Sequence, residues 1–511
     1  MIISLKLQRG GPETLQRQVF VQIRNQILDG WLTPGLEIPA SRTLAAEYGI
    51  SRNTVVQAYE WLSSEGYIEA NKGVGTIVSR TLPEASLYVG RTNEKLTNSR
   101  TPAAPKVPVV FKGRTPRLPD RTVRQAVDFW PGRPNSRHFP ATFFKKAVDE
   151  HLGFSTMALS EYGDVAGLPA LRSAIADQLK ASRGISVGLD QIIVTAGIQE
   201  ALNLISRLFV EAGTKVVVEN PCYQGAALAF ESYGAQLVPV GVDREGTTVE
   251  QLRGVSASLA YVTPSHQFPT GATLTIERRL KLLEWAQATG AYIVEDDYDS
   301  DYQYSGPPMI ALAGLDSSRS VIYLGTFSKS IGAGLRTGYM VLPPQLVDHA
   351  RKVKSLMNYG HPWLEQMVLA DFLATGSFQR HLRRIRRSYA AVRDCLIDGL
   401  RSGFGEPDIR GAANGMHVMW RLPPGFPDPE TLVAQVHEFG VEIYTLAGAG
   451  AVDFGSPYAA DSILLGYSSL TEDEVKKGVR AIGRAVEAIG NHPVSGRKSW
   501  SGDPQHAGAN R

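Results

Sequence analysis

Apolar residues recur every four positions near the start of the chain, from Leu15 to Ile27. This spacing places them on one face of a helix and predicts an amphipathic α-helix. A Pro-Gly turn at 34–35 follows, and Ser41 begins a second, shorter helix with a buried apolar pair at 44–45. The first 50 residues therefore predict two helices joined by a turn.

A third helix and a hairpin complete this pattern. Ser51 is a favourable N-cap, and the helix after it places Val55, Tyr59 and Leu62 on its inner face. Two short apolar segments then flank the turn at 71–73, which predicts a β-hairpin. Three helices followed by a hairpin predict a winged helix-turn-helix domain over residues 1–80.

Further along, runs of consecutive apolar residues alternate with helical segments. Such runs are typical of strands that are buried on both faces, so they predict a mostly parallel α/β sheet. From about 389 to 490, helices mix with shorter strands, which indicates a smaller α+β subdomain. The predicted sheet strands are 192–194, 216–218, 259–262, 292–294 and 321–324.

Composition excludes several classes of protein. No apolar run of about 18 residues occurs, which excludes a transmembrane helix, and the first ten residues have no apolar signal core. Only two cysteines occur in 511 residues, which argues against a disulfide scaffold and a cysteine zinc site. We therefore expect a cytoplasmic protein without a membrane partner or a metal.

Charge divides the chain into unlike parts. The net charge is +3 overall, but it is +1 over 1–80, +6 over 81–127 and −4 over 128–511. The basic segment 81–127 is rich in proline and predicts an extended linker. The Gly/Ser/Pro-rich segment 491–511 predicts a disordered tail. The sequence thus predicts a domain at 1–80, a linker at 81–127 and a larger domain at 128–490.

Polar side chains on the predicted third helix are candidates for reading DNA. Their types can reach base edges or phosphates when the start of such a helix enters a major groove. Each one alone is better explained as an ordinary solvated residue, and Ser51 as a cap. Arg42 and Thr54 are candidates for phosphate contacts, and Lys72 lies at the tip of the wing. The candidate DNA-binding residues are Arg42, Ser51, Arg52, Asn53, Thr54, Gln57 and Lys72.

Three segments at predicted strand ends carry candidate cofactor chemistry. Segment 193–199 joins a strand to a helix through small residues, where free N–H groups suit a phosphate. Asp296 and Tyr298 place an acid and a phenol at another strand end. Lys329 follows a third strand, with Arg336 seven residues later. Each segment alone also fits a crossover turn, a polar loop or a surface lysine.

These motifs resemble two known families. Segments 39–45, 51–55, 65–68 and 73–76, with Leu62, closely resemble the GntR-type winged helix over about 65 residues. The three cofactor segments, in this order, resemble the fold-type I aminotransferases that depend on pyridoxal 5′-phosphate, over about 128–490.

The second resemblance implies roles for individual residues. Lys329 would form the aldimine with the cofactor, Asp296 would pair with the pyridine nitrogen, and Tyr298 with the phenolic oxygen. Tyr223 would lie near the ring, and Tyr162 would reach the phosphate across a subunit interface. The residues implied to hold the phosphate are Ala196, Gly197, Thr326, Ser328 and Arg336.

Both halves together resemble the MocR subfamily of transcription regulators, as do segment 263–271 and segment 295–300 with 326–329. The resemblance implies a domain-swapped homodimer that binds double-stranded DNA and responds to pyridoxal phosphate and an amine-bearing effector. One alternative is an active aminotransferase with an accessory DNA-binding head. Another is a protein that senses pyridoxal phosphate itself.

Two positions depart from the aminotransferase pattern. Leu464 stands at or near an arginine that clamps the substrate carboxylate, and Phe268 replaces a ring-side asparagine. Both changes disfavour transamination of ordinary α-amino acids. The effector then either lacks a carboxylate or binds through other residues, for which Arg133, Arg137 and His138 are candidates alongside a plain surface-loop role.

Two basic segments remain. The run 380–387 fits either a nucleic-acid contact or, as its apolar spacing favours, an amphipathic helix with a solvated basic face. In the linker, Arg117, Arg121 and Arg124 are candidates to lie along DNA or against the acidic larger domain.

Overall fold

The computed structural model describes residues 3–10, 13–71, 75–82, 113–116, 125–154, 159–304 and 309–490. The chain divides into two compact units, Met1–Val109 and Val110–Arg511. Lys72, most of the segment 81–127, including Arg117, Arg121 and Arg124, and the segment 491–511 lie outside the described residues.

The first unit contains the three helices and the hairpin that the sequence predicts. Thr14 caps the first helix and Ser51 caps the third, each accepting a backbone N–H three residues later. The strands form a three-stranded antiparallel sheet. Its elements are α1 (Leu15–Leu28), β1 (Glu37–Ile38), α2 (Ser41–Tyr48), α3 (Arg52–Ser64), β2 (Ile68–Asn71) and β3 (Gly75–Val78).

An extended arm before α1 is a feature that the sequence pattern missed. Ile3 and Leu5 are buried in the core of this unit. Three glutamines on one face of α1 each accept a backbone N–H from the arm and donate to the carbonyl of the same residue. The pairs are Gln26 with Ser4, Gln22 with Lys6 and Gln18 with Gln8.

The second unit is built around an eight-stranded sheet in the order β5-β13-β12-β11-β10-β6-β8-β9. The pairs from β12 through β8 are parallel, whereas β13 runs antiparallel to both of its neighbours. The strands of this sheet are β5 (Ile192–Thr195), β6 (Lys215–Asn220), β8 (Gln236–Asp243), β9 (Gly246–Thr247), β10 (Leu259–Val262), β11 (Tyr292–Asp296), β12 (Val321–Thr326) and β13 (Gly338–Val341).

Helices surround this sheet, and apolar cores lie on both of its faces. Among the described residues, no helix is both long and apolar enough to cross a bilayer. The helices of the second unit are α4 (Ala141–Phe154), α5 (Pro169–Arg183), α6 (Ile198–Phe209), α7 (Gln224–Ser232), α8 (Ile276–Thr289), α9 (Leu312–Leu315), α10 (Val347–Asn358), α11 (Trp363–Ala374), α12 (Ser377–Phe404), α13 (Pro429–Glu438) and α14 (Glu472–Ile489).

A four-stranded antiparallel sheet, in the order β14-β15-β19-β17, forms the smaller subdomain. Its inner face packs on α12 and α14 through one apolar core that includes Trp420, Leu396 and Ile482. The remaining strands are β4 (Val127–Asp128), β7 (Cys222–Tyr223), β14 (Asp408–Arg410), β15 (His417–Arg421), β16 (Val441–Glu442), β17 (Tyr444–Thr445), β18 (Ala451–Val452) and β19 (Ser462–Gly466).

All five predicted sheet strands are confirmed. The strands that the sequence analysis did not list are β8, β9 and β13 of the large sheet. Gln236–Asp243 contains a proline and alternates in exposure, so it carries no continuous apolar signal. Gly338–Val341 is short and follows a loop, and its place between β12 and β5 is decided by pairing across the chain.

Candidate functional site

One cavity opens at the carboxyl ends of the parallel strands, the edge at which open α/β sheets bind ligands. Seven predicted residues line it: Tyr223, Asp296, Tyr298, Thr326, Ser328, Lys329 and Arg336. Ile198 and Gln199, from the predicted phosphate segment 193–199, also line it. The sequence analysis assigned no role there to Pro131, Gly132, Tyr261, Thr263, Ala333 and His417, and it noted Phe268 only as a departure from a family pattern.

Asp296 is the last residue of β11 and is buried at the floor of this cavity. Its Oδ2 accepts the hydroxyl proton of Tyr261 at 2.7 Å, while its Oδ1 is buried and has no hydrogen-bond partner among the described residues. Burial raises the pKa of Asp296 to about 7, against the opposing effect of the Tyr261 hydrogen bond. The free oxygen can therefore share a proton with a ligand nitrogen near neutral pH.

The acids on either side of Asp296 have structural partners. Both carboxylate oxygens of Glu295 accept backbone N–H groups at the start of α9, at 2.8 Å each. Asp297 forms a buried ion pair with Arg183 at 2.8 Å. Side chains alternate along a strand, so of these three acids only Asp296 lines the cavity.

Lys329 lies in the loop after β12, and its amine reaches the cavity. The Nζ atom donates to the carbonyl oxygen of Gly132 at 3.0 Å. Gly132 has a φ of +70°, and a Cβ there would lie 2.9 Å from Nζ, so a side chain at this position would displace the amine. Burial lowers the pKa of Lys329, against the opposing charges of Asp299 and Asp296, which increases the fraction of the nucleophilic neutral amine.

The opposite end of the cavity is suited to an anion. Helix α6 begins there, so its first N–H groups and the positive end of its dipole face the cavity. Arg336 adopts a left-handed backbone with a φ of 49°, and its Nη2 donates to the carbonyl of Ala196 at 2.8 Å. A Cβ at Gly197 would lie 3.1 Å from that nitrogen, so a glycine is needed for this close approach.

The prediction that Ala196 holds a phosphate does not fit this geometry. Its N–H donates to the carboxylate of Glu200, and its carbonyl accepts from Arg336, so the residue offers an anion no free donor. Glu200 is itself held by the buried amine of Lys354 at 2.7 Å. The sequence spacing could not show that a first-turn glutamate occupies this N–H.

Behind Tyr298 lies a buried pair of titratable residues that the sequence analysis missed. His266 Nδ1 lies 2.8 Å from Asp299 Oδ2 and 3.2 Å from the hydroxyl of Tyr298. Burial, followed by the charge of Asp299, raises the pKa of Tyr298 well above its usual value. The phenol therefore remains a hydrogen-bond donor over the physiological range of pH.

Three glycines, one in the loop after β10 and two in the loop between β14 and β15, make room for the His266 ring. Gly271, Gly411 and Gly415 all have positive φ, and a Cβ at any of them would collide with the imidazole. The His417 ring packs beside it at a centroid distance of 4.8 Å. Burial lowers the pKa of His417 well below its usual value, so this wall of the cavity is uncharged.

Tyr162 does not reach the cavity of its own chain. Its side chain is 90% exposed and packs on Tyr359 at a centroid distance of 5.8 Å. A single chain does not test the prediction that Tyr162 completes the site of a second subunit. That prediction requires an exposed Tyr162 side chain, and the side chain is exposed.

The other candidate cations also lie outside the cavity lining. Arg133 forms an ion pair with Asp128 at 2.8 Å. Arg137 is 66% exposed and lies 4.0 Å from Glu474. The His138 ring hydrogen-bonds to the hydroxyl of Ser388 at 3.1 Å.

In the first unit, most of the predicted DNA-binding side chains are exposed on α2 and at the start of α3. They are Arg42, Ser51, Arg52, Asn53 and Gln57. Thr54 differs, because its side chain is 7% exposed and belongs to the core side of α3. The prediction that Thr54 contacts a phosphate is therefore at odds with the structure.

The basic run 380–387 lies within α12. Leu382 and Ile385 are buried in the main core, and the guanidinium of Arg384 donates to a backbone carbonyl of the same unit. The structure confirms the amphipathic helix. In the basic linker segment, Arg114 forms a bidentate pair with Glu231 of α7, with contacts of 2.8 and 2.6 Å.

Comparison with protein families matches both units. Residues 15–78 match the model of bacterial regulatory proteins of the gntR family. Residues 134–482 match the model of aminotransferases of class I and II.

Several known proteins are similar over most of the chain. A probable rhizopine catabolism regulatory protein MocR of Rhizobium meliloti is 36% identical, covering 95% of this chain and 96% of the relative. The pyridoxine biosynthesis transcriptional regulator PdxR of Corynebacterium glutamicum is 30% identical, covering 95% and 98%. Among solved structures, a kynurenine aminotransferase of Pyrococcus horikoshii in complex with PMP is 28% identical, covers 72% of this chain and 92% of its own, and has a TM-score of 0.65.

Proposed function

Because this chain belongs to the MocR-type transcription regulators of the gntR family, which carry an aminotransferase class I and II domain, we propose that it binds pyridoxal 5′-phosphate and an amine effector in the cavity at Lys329. Binding there changes how the first unit engages double-stranded DNA. The unpaired, buried Oδ1 of Asp296, in a cavity that also receives the Lys329 amine, is the observation that carries this proposal.

The cavity residues fit each part of this cofactor. Asp296 holds the pyridine nitrogen, because a carboxyl whose pKa is about 7 can share a proton with a ring nitrogen. Tyr298 donates to the phenolic oxygen, and Tyr223 packs beside the ring. When bound, pyridoxal phosphate supplies an aldehyde carbon that condenses with primary amines, and Lys329 is the amine in reach of it.

The phosphate lies at the start of α6 in this proposal. The first residues of α6, the hydroxyls of Thr326 and Ser328, and the guanidinium of Arg336 surround that end of the cavity. Gly197, which precedes α6, does not line the cavity but leaves room for the Arg336 guanidinium. Tyr162 of the partner subunit adds a phenol to the same phosphate in a homodimer. Its 90% exposure in the single chain is consistent with a place at a subunit interface.

For DNA recognition we assign α3 to the major groove. Arg52, Asn53 and Gln57 are long polar side chains at the start of this helix, and they suit base edges. Arg42, Ser51 and Lys72 contact phosphates or the groove walls. The linker over 81–127 then connects this reading head, residues 1–80, to the cofactor domain at 128–490.

Signal transmission begins at Lys329. With the cofactor bound, an effector amine would compete with the Lys329 amine for the aldehyde carbon, and the contacts of Lys329, Asp296 and Tyr298 would respond to it. The effector can shift DNA binding only if it binds the two states of the regulator with different affinity.

The proposal is tested on the full-length chain after addition of pyridoxal phosphate. We expect a visible absorption band and, after borohydride reduction, a mass increase of one cofactor at Lys329. The Lys329→Ala variant should lose both, whereas Lys145→Ala, which removes an exposed lysine of α4, should keep both. An unchanged mass increase in Lys329→Ala would exclude this lysine as the attachment point.

The DNA arm of the proposal needs its own measurement. Footprinting on the region upstream of the gene, with and without cofactor, should reveal a protected site whose affinity falls steeply with salt. Absence of a protected site in both conditions would reject the regulatory role of the cavity. Sustained turnover of an amino donor and a keto acid would instead support an active aminotransferase.

A further inference from the structure

We infer that the effector of this regulator is a primary amine without a carboxylate or other acidic group. This inference deepens the proposed function, since it concerns the same cavity and names the class of amine that the cavity accepts. It rests on the distribution of charge around the cavity, on the composition of its walls and on the ion pair that Arg133 already forms with Asp128.

The cavity has no cation left for an acidic group of the ligand. Among the described residues that line it, Lys329 and Arg336 carry the positive charges. In the proposed function the amine of Lys329 reacts, and Arg336, fixed by its bond to the Ala196 carbonyl, serves the phosphate. A ligand carboxylate would lose its hydration here without gaining an ionic partner, which is costly.

Arg133, which follows the cavity-lining Gly132, is already paired. The Arg133 guanidinium is held by Asp128 at 2.8 Å, and the other oxygen of that carboxylate accepts from Tyr444 at 2.8 Å and from the N–H of Trp130 at 3.0 Å. Arg133 is thus neutralised by an acid that is itself fixed by two further hydrogen bonds. Its side chain does not line the cavity.

An apolar cluster of the smaller subdomain contains the position at which the resemblance to aminotransferases implies a carboxylate-binding arginine. Leu464 of β19 is fully buried between Met419 and Tyr444, in a cluster that also includes Trp130 and Phe268. Phe268 belongs both to this cluster and to the cavity lining. An acidic group directed towards this wall would meet carbon atoms.

Charges and rings on the remaining sides favour an uncharged substituent. On this side the titratable groups are Asp296, in the lining, and Asp299, which is paired with His266, and neither offers a ligand carboxylate an ionic partner. The rings of Phe268 and Tyr298 meet edge to face at 6.3 Å, and Phe268 meets Tyr223 in the same way at 5.9 Å. These ring surfaces suit an apolar or ring-shaped group on the amine.

The test compares amines with amino acids that differ only by the carboxylate. Full-length protein loaded with pyridoxal phosphate is titrated with 2-phenylethylamine against L-phenylalanine, and with ethanolamine against L-serine. The visible band and the affinity for the footprinted DNA are recorded. For at least one pair we expect the amine to change both signals at a concentration about tenfold or more below that of its amino acid.

The outcomes separate this inference from the proposed function. If no visible band forms on loading, the proposed function itself fails. If the band forms but the amino acids act as well as the amines, or if neither class alters it, the proposed cofactor site stands and the inference is overturned.

A substitution in the apolar wall provides a second measurement. Leu464→Arg introduces a cation beside Phe268, and we expect it to reduce or reverse the preference for the amine. Leu464→Met keeps the wall apolar and is the matched control, which should retain the preference. If Leu464→Arg does not fold, the titrations of the unmodified chain still decide the question.

Discussion

The hydroxyl of Tyr261 donates to Oδ2 of Asp296 across 2.7 Å and leaves Oδ1 of the same carboxyl without a partner among the described residues. A buried carboxyl with one free oxygen is costly to the fold, and burial accordingly raises its pKa to about 7. Such a cost is typical of a group that is kept for a ligand.

Replacing Asp296 should therefore stabilise the cofactor-free protein. The folded state binds the Asp296 proton more tightly than the unfolded chain, so this carboxyl destabilises the fold increasingly as the pH rises from about 4 to about 7. We expect Asp296→Asn to raise the free energy of unfolding by about 1–4 kcal/mol at pH 7.5.

The gain should shrink towards pH 4.5, where the native carboxyl is protonated in the fold. Thermal unfolding of the unmodified protein and of Asp296→Asn, at pH 7.5 and at pH 4.5, measures this gain in stability. The same variant should bind pyridoxal phosphate at least tenfold more weakly, because an amide cannot take up the charge of a pyridinium. A variant that is less stable at pH 7.5 would contradict this account.

The packing of glycines around His266 predicts an effect of a single methyl group. Gly415→Ala places a Cβ against the imidazole at a position whose φ is +78°, so we expect a loss of about 1–3 kcal/mol in unfolding free energy and a changed visible band with cofactor. Gly405→Ala is the matched control, since its φ is +81° but no atom lies within 4 Å of the added carbon. Equal spectra for the two variants would show that His266 does not position Tyr298.

Because the Tyr162 side chain is exposed in the single chain, we predict that it completes the cofactor site of a second subunit. We expect Tyr162→Phe to weaken the binding of pyridoxal phosphate about three- to tenfold, through the loss of one hydrogen bond to a phosphate. Tyr359→Phe, in the residue that packs on Tyr162, is the control and should bind normally. Equilibrium dialysis measures both, and unchanged affinity in Tyr162→Phe would remove this residue from the site.

The first unit allows base-reading and phosphate-binding residues to be distinguished. Arg52→Ala should weaken binding to the footprinted site about tenfold or more and reduce discrimination against an altered site. Arg42→Ala should weaken binding to the footprinted site and to the altered site alike. It should also reduce the salt dependence of DNA affinity by about one released ion. Arg17→Ala, on the exposed side of α1, removes an equal charge as a control. A uniform loss in all three variants would indicate only a general charge effect.

Local patterns were sufficient for much of this protein. The helical spacing from Leu15 to Ile27, the cap at Ser51 and the apolar runs of the large sheet each depend on residues that are neighbours in the chain. Their spacing therefore predicts the elements directly. The motif around Asp296 and Lys329 likewise indicated residues that the structure brings into one cavity.

Contacts between distant segments could not be predicted in this way. Tyr261 lies 35 residues before Asp296, and Gly132 lies 197 residues before Lys329. The roles of Glu200, which occupies the N–H of Ala196, and of Thr54, which turns to the core, follow from helix packing.

By itself, the sequence determined the two-part architecture, the family and the type of chemistry, because these follow from short motifs and from the period of apolar residues. Only the tertiary structure decided which charges face the cavity. It paired Arg133 with Asp128, buried Leu464 in an apolar cluster against which Phe268 packs, and left one oxygen of Asp296 without a partner among the described residues. The physical reason is that the charge a ligand meets depends on which side chains are already paired, and pairing is a property of residues brought together by folding.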